Sequence, residues 1–317
     1  MRILVTGGCG YVGSFLVPRL LFAGHHVVVV DTQWFGNFLP KHKNLKLINK
    51  MFNELIKEDL KNVDSVIHLA NIANDPSVEL NPTFSWEVNV LHTTQLLNLC
   101  RKIHSIKQFI YASSGSVYGV KSELRVTEEL DMLPISAYNK TKMTAERVLL
   151  SYAEDFAVHI IRPATICGLS PRMRFDVVVN MFVMQAFSKG VLTVLGGEQV
   201  RPNIHIEDMA RVYEHFLSNK ELPSGSYNAG FENISVMSIA ESISQKFNVE
   251  IELKQSNDPR SYRQDSSKLV ATGFIQTKCV SDAVEEVSHA LKSGALEDND
   301  RWYTVRWMTK NKIGELA

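Results

Sequence analysis

The sequence predicts an α/β fold, a doubly wound parallel sheet with a smaller C-terminal lobe. Three observations carry that expectation. Short apolar runs alternate with helix-periodic segments from the N-terminus to Pro163. A glycine cluster stands between the first apolar run and the first helix. After Pro163 the pattern becomes less regular, which predicts a first domain over 1–166 and a second lobe over 167–317, with 204–218 returning to the first.

Ile3-Leu4-Val5-Thr6 reads as the first strand. Gly7-Gly8-Cys9-Gly10-Tyr11-Val12-Gly13 turns the chain into a helix with Leu16, Val17, Leu20 and Leu21 at helical spacing. His26 to Val30 is the second strand and ends at Asp31. Strand, glycine turn, helix, strand, acid is the opening unit of a dinucleotide-binding fold. Gly7 permits the tight turn, Gly10 lets the backbone approach a pyrophosphate, and Gly13 lets the helix pack closely. The helix start offers unpaired N–H groups to the phosphates. Asp31 suits a ribose diol and would repel a phosphate there, and no Arg lies between residues 32 and 40, so NAD is favoured over NADP.

Gln33 to Pro40 reads as a loop, Leu45 to Ile48 as a strand and Phe52 to Leu60 as a helix. Val63 to Ala70 is a strand, and Asn74-Asp75-Pro76 a turn. Thr83 to Ile103 has sustained helical periodicity. Gln108 to Ala112 is a buried strand with Ser113-Ser114-Gly115-Ser116 at its carboxyl end, where open α/β sheets place ligands. Ala137 to Tyr152 is a helix and Val158 to Ile161 a strand. Beyond Pro163, Gly168 to Asp176 is a loop carrying Arg172 and Arg174. Helices follow at Asn180–Lys189, Glu207–Leu217 and Ser235–Phe247, and strands at Leu192–Leu195 and Glu250–Lys254.

The helix from Ala137 carries the second informative constellation. Tyr138 and Lys142 are four apart and share a helix face. A free tyrosine, with a pKa near ~10, is a poor base at neutral pH. A neighbouring ammonium, helped by the charge of an oxidised nicotinamide, stabilises its phenolate. Tyr138 can then take a hydroxyl proton while hydride leaves the same carbon, with Ser114 holding the hydroxyl oxygen.

Lys+Arg and Asp+Glu both number 34 in 317 residues, so there is no basic footprint for nucleic acid or an anionic membrane. No apolar run is long enough to span a bilayer. The four cysteines are far apart and make no metal-type pair, so no metal site is expected. Reduced thiols, with no signal peptide ahead of the first strand, predict a cytoplasmic protein.

Thr6-Gly7-x-x-Gly10-x-x-Gly13, Asp31, His68-Leu69-Ala70, Ser114 before Val117-Tyr118-Gly119, and Tyr138-x-x-x-Lys142 occur in one order and spacing. Together they resemble the extended short-chain dehydrogenase/reductase family, a Rossmann-type fold, and within it the NAD-dependent nucleotide-sugar epimerases and dehydratases. The resemblance implies cofactor contacts at the glycine turn with Tyr11 and Val12, at Asp31, and at Leu69 and Ala70. It extends them to Asn89, Tyr138 and Lys142. It implies sugar-nucleotide contacts at Ser114, Ser116, Asn180, Arg201 and Arg260, where arginine forks suit diphosphate. It also implies a homodimer through Thr83–Ile103 and Ala137–Tyr152. Lys50-Met51 replaces the family's usual adenine-contacting Asp-Ile or Asp-Val pair, His92 replaces a glycine, and Cys167 stands where a tyrosine is usual.

Family dehydratases carry Asp-Glu directly after the catalytic Ser or Thr. Here those positions are Gly115-Ser116, neither of which is an acid or base near neutral pH. Oxidation at sugar C4 needs only Ser114, Tyr138, Lys142 and NAD. The leading expectation is therefore a C4 epimerase acting through a 4-keto intermediate. The alternatives are a C4 dehydrogenase that releases the ketone, a 4,6-dehydratase, which Gly115-Ser116 disfavours, and a non-catalytic NAD sensor or scaffold.

Overall fold

The computed structural model describes residues 1–256, 258 and 260–314. The chain opens with β1 (Arg2–Thr6), α1 (Tyr11–Phe22), β2 (His26–Asp31), β3 (Leu45–Asn49) and β4 (Ser65–His68). Next come α2 (Asp75–Leu80), α3 (Pro82–Trp86), a π-helical stretch (Glu87–His92) and α4 (Thr93–Cys100), then β5 (Gln108–Ala112), α5 (Ala137–Leu150) and β6 (Ala157–Pro163). The remainder contributes β7 (Thr165–Cys167), α6 (Val178–Lys189), β8 (Val191–Leu195), β9 (Val200–His205) and α7 (Ile206–Ser218). It ends with β10 (Gly225–Ala229), β11 (Glu232–Ser235), α8 (Val236–Phe247), β12 (Glu250–Lys254), α9 (Ser267–Ala271), α10 (Val280–Lys292) and α11 (Thr304–Lys310).

Seven parallel strands form the main sheet in the order β10-β6-β5-β4-β1-β2-β3. The period-2 alternation of β1 explains how both faces are covered. Ile3 and Val5 join the cluster containing Leu16 and Val17 of α1 and Val212 and Phe216 of α7. Leu4 points to the opposite cluster, with Leu96 of α4 and Ala145 and Leu149 of α5. The strand order reverses direction between β1 and β4, so the loops after these two strands diverge and open a crevice at their carboxyl ends. A separate apolar core, including Phe175, Phe182, Leu192, Ile239 and Val284, holds the smaller lobe together.

Three local expectations change. Phe52–Leu60 is not a helix: only Phe52–Glu54 makes a 3₁₀ turn. Asp59 accepts from Ile56 N and pairs with Lys50, a side-chain arrangement that competes with helical bonding. Asn74-Asp75-Pro76 starts a helix, because Asn74 Oδ1 caps Ser77 N at 2.9 Å and Pro76 sits in the first turn. The helix expected over Thr83–Ile103 contains the π stretch Glu87–His92. β10, which has little apolar content of its own, is the outermost strand beside β6.

Candidate active site

The glycine turn lies at the mouth of that crevice. Gly7 has φ +72°, and a Cβ there would stand 2.6 Å from Ala70 N. A Cβ on Gly13 would stand 2.5 Å from Gly7 O, so α1 can sit on the turn only with glycine at that position. Gly10 differs: its nearest obstacle is Gly7 O at 3.2 Å, and its outer side faces the cleft. Gly10 also caps α1 without a side-chain hydrogen bond, and the first turn holds no acid. The free N–H groups of Tyr11, Val12 and Gly13 therefore remain for a phosphate. Asp31 accepts from Cys9 N at 2.9 Å and Gln33 N at 2.6 Å, which fixes its carboxylate at the cleft edge. Burial raises its pKa, against those two bonds and the field of Arg172. An uncapped helix start, a cradle that a Cβ would fill and an oriented carboxylate fit the diphosphate and ribose of NAD.

The cleft is about 660 Å³ and runs from this turn to Ser114, Tyr138 and Lys142. Ser136 caps α5 through a bond from Asn139 N and starts the helix one residue before Ala137. That start aims Tyr138 and Lys142 at the carboxyl end of β5. Lys142 Nζ donates to Ala112 O at 2.6 Å and lies 5.9 Å from the Tyr138 ring centroid. Burial, with Glu146 opposing, brings the Lys142 pKa down to about 7. Burial pushes Tyr138 up to about 12, with the Ser114 hydroxyl pulling the other way. Burial thus shifts both groups toward their neutral forms, and a phenolate needs further positive charge beside it.

Ser116 Oγ donates to Asn139 Oδ1 at 2.6 Å. Its single proton is then used, so in the 2.7 Å contact with Ser114 it accepts. Ser114 is left with an oxygen turned toward the cleft. Gly115 is sterically constrained: a Cβ there would stand 2.9 Å from Gln264 Oε1, and Gln264 is held by bonds to Arg162 O and Asn228 Oδ1.

Leu69, Ala70, Arg201 and Arg260 also line the cleft. Both arginines are engaged. Arg201 pairs with Asp258 at 2.7 Å, and Arg260 bridges Asp258 at 2.8 Å and Asp75 at 2.6 Å. Two of the expected contact residues lie outside the cleft lining. Asn180 is fully buried and lies outside the cleft lining. Its amide accepts from Gly168 N and donates to Tyr11 Oη and Arg174 O, which ties the loop ahead of α6 to α1. Asn89 is engaged by Ile72 N, Ile72 O and Thr141 Oγ1, and so holds the chain after β4 against α5. Sequence reasoning missed Asp75, Asp258 and Thr304, which line the cleft but belong to no local motif.

Comparison with known proteins decides the lineage. The family model described as "NAD dependent epimerase/dehydratase family" matches residues 3–230. The chain belongs to that family. It is 32% identical over 288 residues to a protein described as an uncharacterized UDP-glucose epimerase of Bacillus subtilis, covering 84% of this chain and 90% of that one. It is 29% identical to UDP-glucuronic acid decarboxylase 1 of Arabidopsis thaliana, covering 84% of this chain and 64% of the relative. MoeE5, solved with UDP-glucuronic acid and NAD, superposes with a TM-score of 0.83 at 26% identity, covering 92% of this chain and 100% of that one. UDP-glucuronic acid 4-epimerase from Bacillus cereus, solved with UDP-glucuronic acid and NAD, gives 0.81 at 27% identity, covering 92% and 99%.

As a member of this epimerase/dehydratase family the protein is an NAD-dependent enzyme with the Rossmann-type sheet expected of it. Its departure at Lys50-Met51 has a structural counterpart. Lys50 pairs with Asp59 at 2.7 Å, and the cleft wall beside it is the apolar group Trp34, Phe35, Met51 and Phe52. Among the described residues, no helix is long and apolar enough to cross a membrane and no group of side chains suits a metal ion.

Proposed function

We propose that the protein epimerises a nucleotide-diphosphate sugar at C4. The observation that carries this reading is the convergence of Ser114, Tyr138 and Lys142 beside Gly115-Ser116, a pair with no acid or base. Ser114 and Tyr138 hold the C4 hydroxyl, and Tyr138 takes its proton as the C4 hydrogen departs. Bound NAD supplies the acceptor for that hydrogen and returns it. Lys142 stabilises the phenolate, and closure of the cleft keeps water from the ketone. Rotation of the sugar presents its other face, and Tyr138 gives the proton back. Arg201 and Arg260 take the diphosphate in forked geometry once Asp258 and Asp75 release them. Ser116 orients Ser114.

The division at 166/167, with 204–218 and β10 returning to the first part, separates the main sheet from the sugar-nucleotide lobe in this reading. The protein acts as a cytoplasmic homodimer through the outer faces of α4 and α5. Partly exposed Trp86, Leu91 and Leu150 on or beside these helices support that pairing, as do buried, unpaired Cys9, Cys100 and Cys167 for a reducing compartment.

The test is mass spectrometry after incubation with UDP-, GDP-, dTDP- and CDP-sugars, with chromatography to resolve isomers. A product of unchanged mass supports the epimerase. Loss of two hydrogens with reduced cofactor supports a C4 dehydrogenase instead, the second reading, which uses the same three residues. Loss of water or of carbon dioxide overturns both.

A further inference from the structure

The loop between β7 and α6 is stitched to the first turn of α1. Tyr11 Oη donates to Gly168 O at 2.7 Å, Ser170 Oγ donates to Tyr11 O at 2.7 Å, and Arg172 N donates to Ser14 Oγ at 3.1 Å. These bonds bring Arg172 beside the uncapped start of the helix. Arg172 is only 3% exposed and lies on the cleft wall. The guanidinium carbon sits 4.1 Å from the Phe35 ring centroid, on the loop that follows Asp31.

Arg172 feels the fields of Asp31 and Asp176, but among the described residues it makes no ion pair with a carboxylate. Arg174 pairs with Asp176 at 2.8 Å, Arg201 with Asp258, and Arg260 with Asp75 and Asp258. Among the described residues, Arg172 is the cleft arginine with no carboxylate partner: its Nε has no hydrogen-bond acceptor, and Nη2 has only Thr304 Oγ1 at 3.3 Å. Burial and neighbouring Arg174 bring its pKa down to about 9, against the opposing fields of Asp176, Tyr11 and Asp31. A buried charge of this kind is retained against a cost unless an anion arrives. The face it shares with the glycine turn is where a dinucleotide places its diphosphate.

We propose that Arg172 is the counter-charge for the diphosphate of bound NAD, carried to the glycine turn by the second lobe. The α1 N-terminus and this guanidinium then grip the anion from two sides. Cofactor binding and the seating of the 168–172 loop become one event, because the residues that stitch the loop to α1 flank the arginine. The inference concerns the cofactor alone and stands whichever sugar nucleotide is turned over.

The test uses nucleotide-stripped wild type and Arg172→Met, titrated calorimetrically with adenosine, ADP, NAD and NADP. Loss of a charge-assisted bond predicts affinity for ADP and NAD reduced about 10- to 100-fold, with adenosine affinity unchanged. The stripped variant should also melt at or above the wild-type temperature, since an unpaired buried charge has been removed. Equal losses for adenosine and ADP would place Arg172 on the adenine or ribose and overturn the proposal. So would a loss confined to NADP, which would assign it a 2′-phosphate. No change in ADP binding, or a variant that melts lower or does not fold, would also overturn it.

Discussion

Arg260 Nη1 donates to Asp75 Oδ2 at 2.6 Å across the cleft, joining segments 185 residues apart in the chain. Asp75 also accepts from Ser136, the residue that caps α5, so the bridge connects the second lobe to the helix bearing Tyr138 and Lys142. Burial notwithstanding, the paired arginines hold Asp258 down to about 2. In the proposed reading, the acids hold the guanidinium groups that would take the diphosphate.

That occupancy predicts opposite effects from the two sides. Arg201→Ala should raise KM for the nucleotide sugar about 10- to 100-fold, with a smaller effect on kcat, because one charge-assisted fork is lost. Asp258→Asn should tighten binding of UDP several-fold by removing a competitor. Steady-state kinetics and calorimetry check these; weaker UDP binding by Asp258→Asn would show that the acid positions the arginines.

Tyr138→Phe removes the proposed base while leaving the ring that fills the cleft wall. Turnover should fall about 10²- to 10⁴-fold. NAD released on denaturing the purified variant should match wild type. Undiminished turnover would exclude Tyr138 as the base.

Lys142 makes the stability of the cofactor-free protein depend on pH. Its folded pKa, about 7, lies below the ordinary value of 10.5. Below pH 7 both folded and unfolded chains carry the proton, and the full cost of a buried ammonium applies. Between pH 7 and about 10 the unfolded chain binds more protons, so this contribution grows more favourable as pH rises. Lys142→Met should therefore melt above wild type at pH 6.5, with the gap narrowing by pH 9. Thermal unfolding at the two pH values measures it; a constant gap would refute the assignment.

Glu146 and Arg162 form a buried pair at 2.6 Å, with side-chain exposures of 1% and 5%. Glu146 also accepts from Ser113, and Arg162 donates to Tyr118 Oη. Glu146→Ala leaves the guanidinium buried and unpaired, which should cost about 3–5 kcal/mol in urea unfolding. A cost near zero would mean that water reaches the site.

Gly115→Ala should lower stability by about 1–3 kcal/mol, because its new methyl meets a Gln264 amide already fixed by two bonds. The same contact opposes an aspartate at this position, so Gly115→Asp should not yield a dehydratase. Chemical denaturation and product analysis test the two statements.

Much of the site is legible in the sequence because its signals are local. The glycine turn, α1 and Asp31 are contained in one continuous stretch, and Tyr138 and Lys142 are set by helical spacing. The same local rules misread Asn74-Asp75-Pro76, since a cap and a turn use the same residue types until the following residues find partners. Asn89 and Asn180 were placed by motif position, but an amide's role depends on which backbone groups surround it, and those come from distant segments.

The sequence by itself determined the sheet's cofactor half, the NAD preference and the Tyr–Lys pair, because turn geometry and periodicity act over a few residues. Tertiary structure alone decided that β10 completes the sheet beside β6, and that Asp75 and Asp258 occupy two of the arginines while Arg172 pairs with no carboxylate among the described residues. A strand with little apolar content is defined by the edge it finds. A charge is free or engaged according to partners brought together by folding, and neither property is written in a residue's neighbours along the chain.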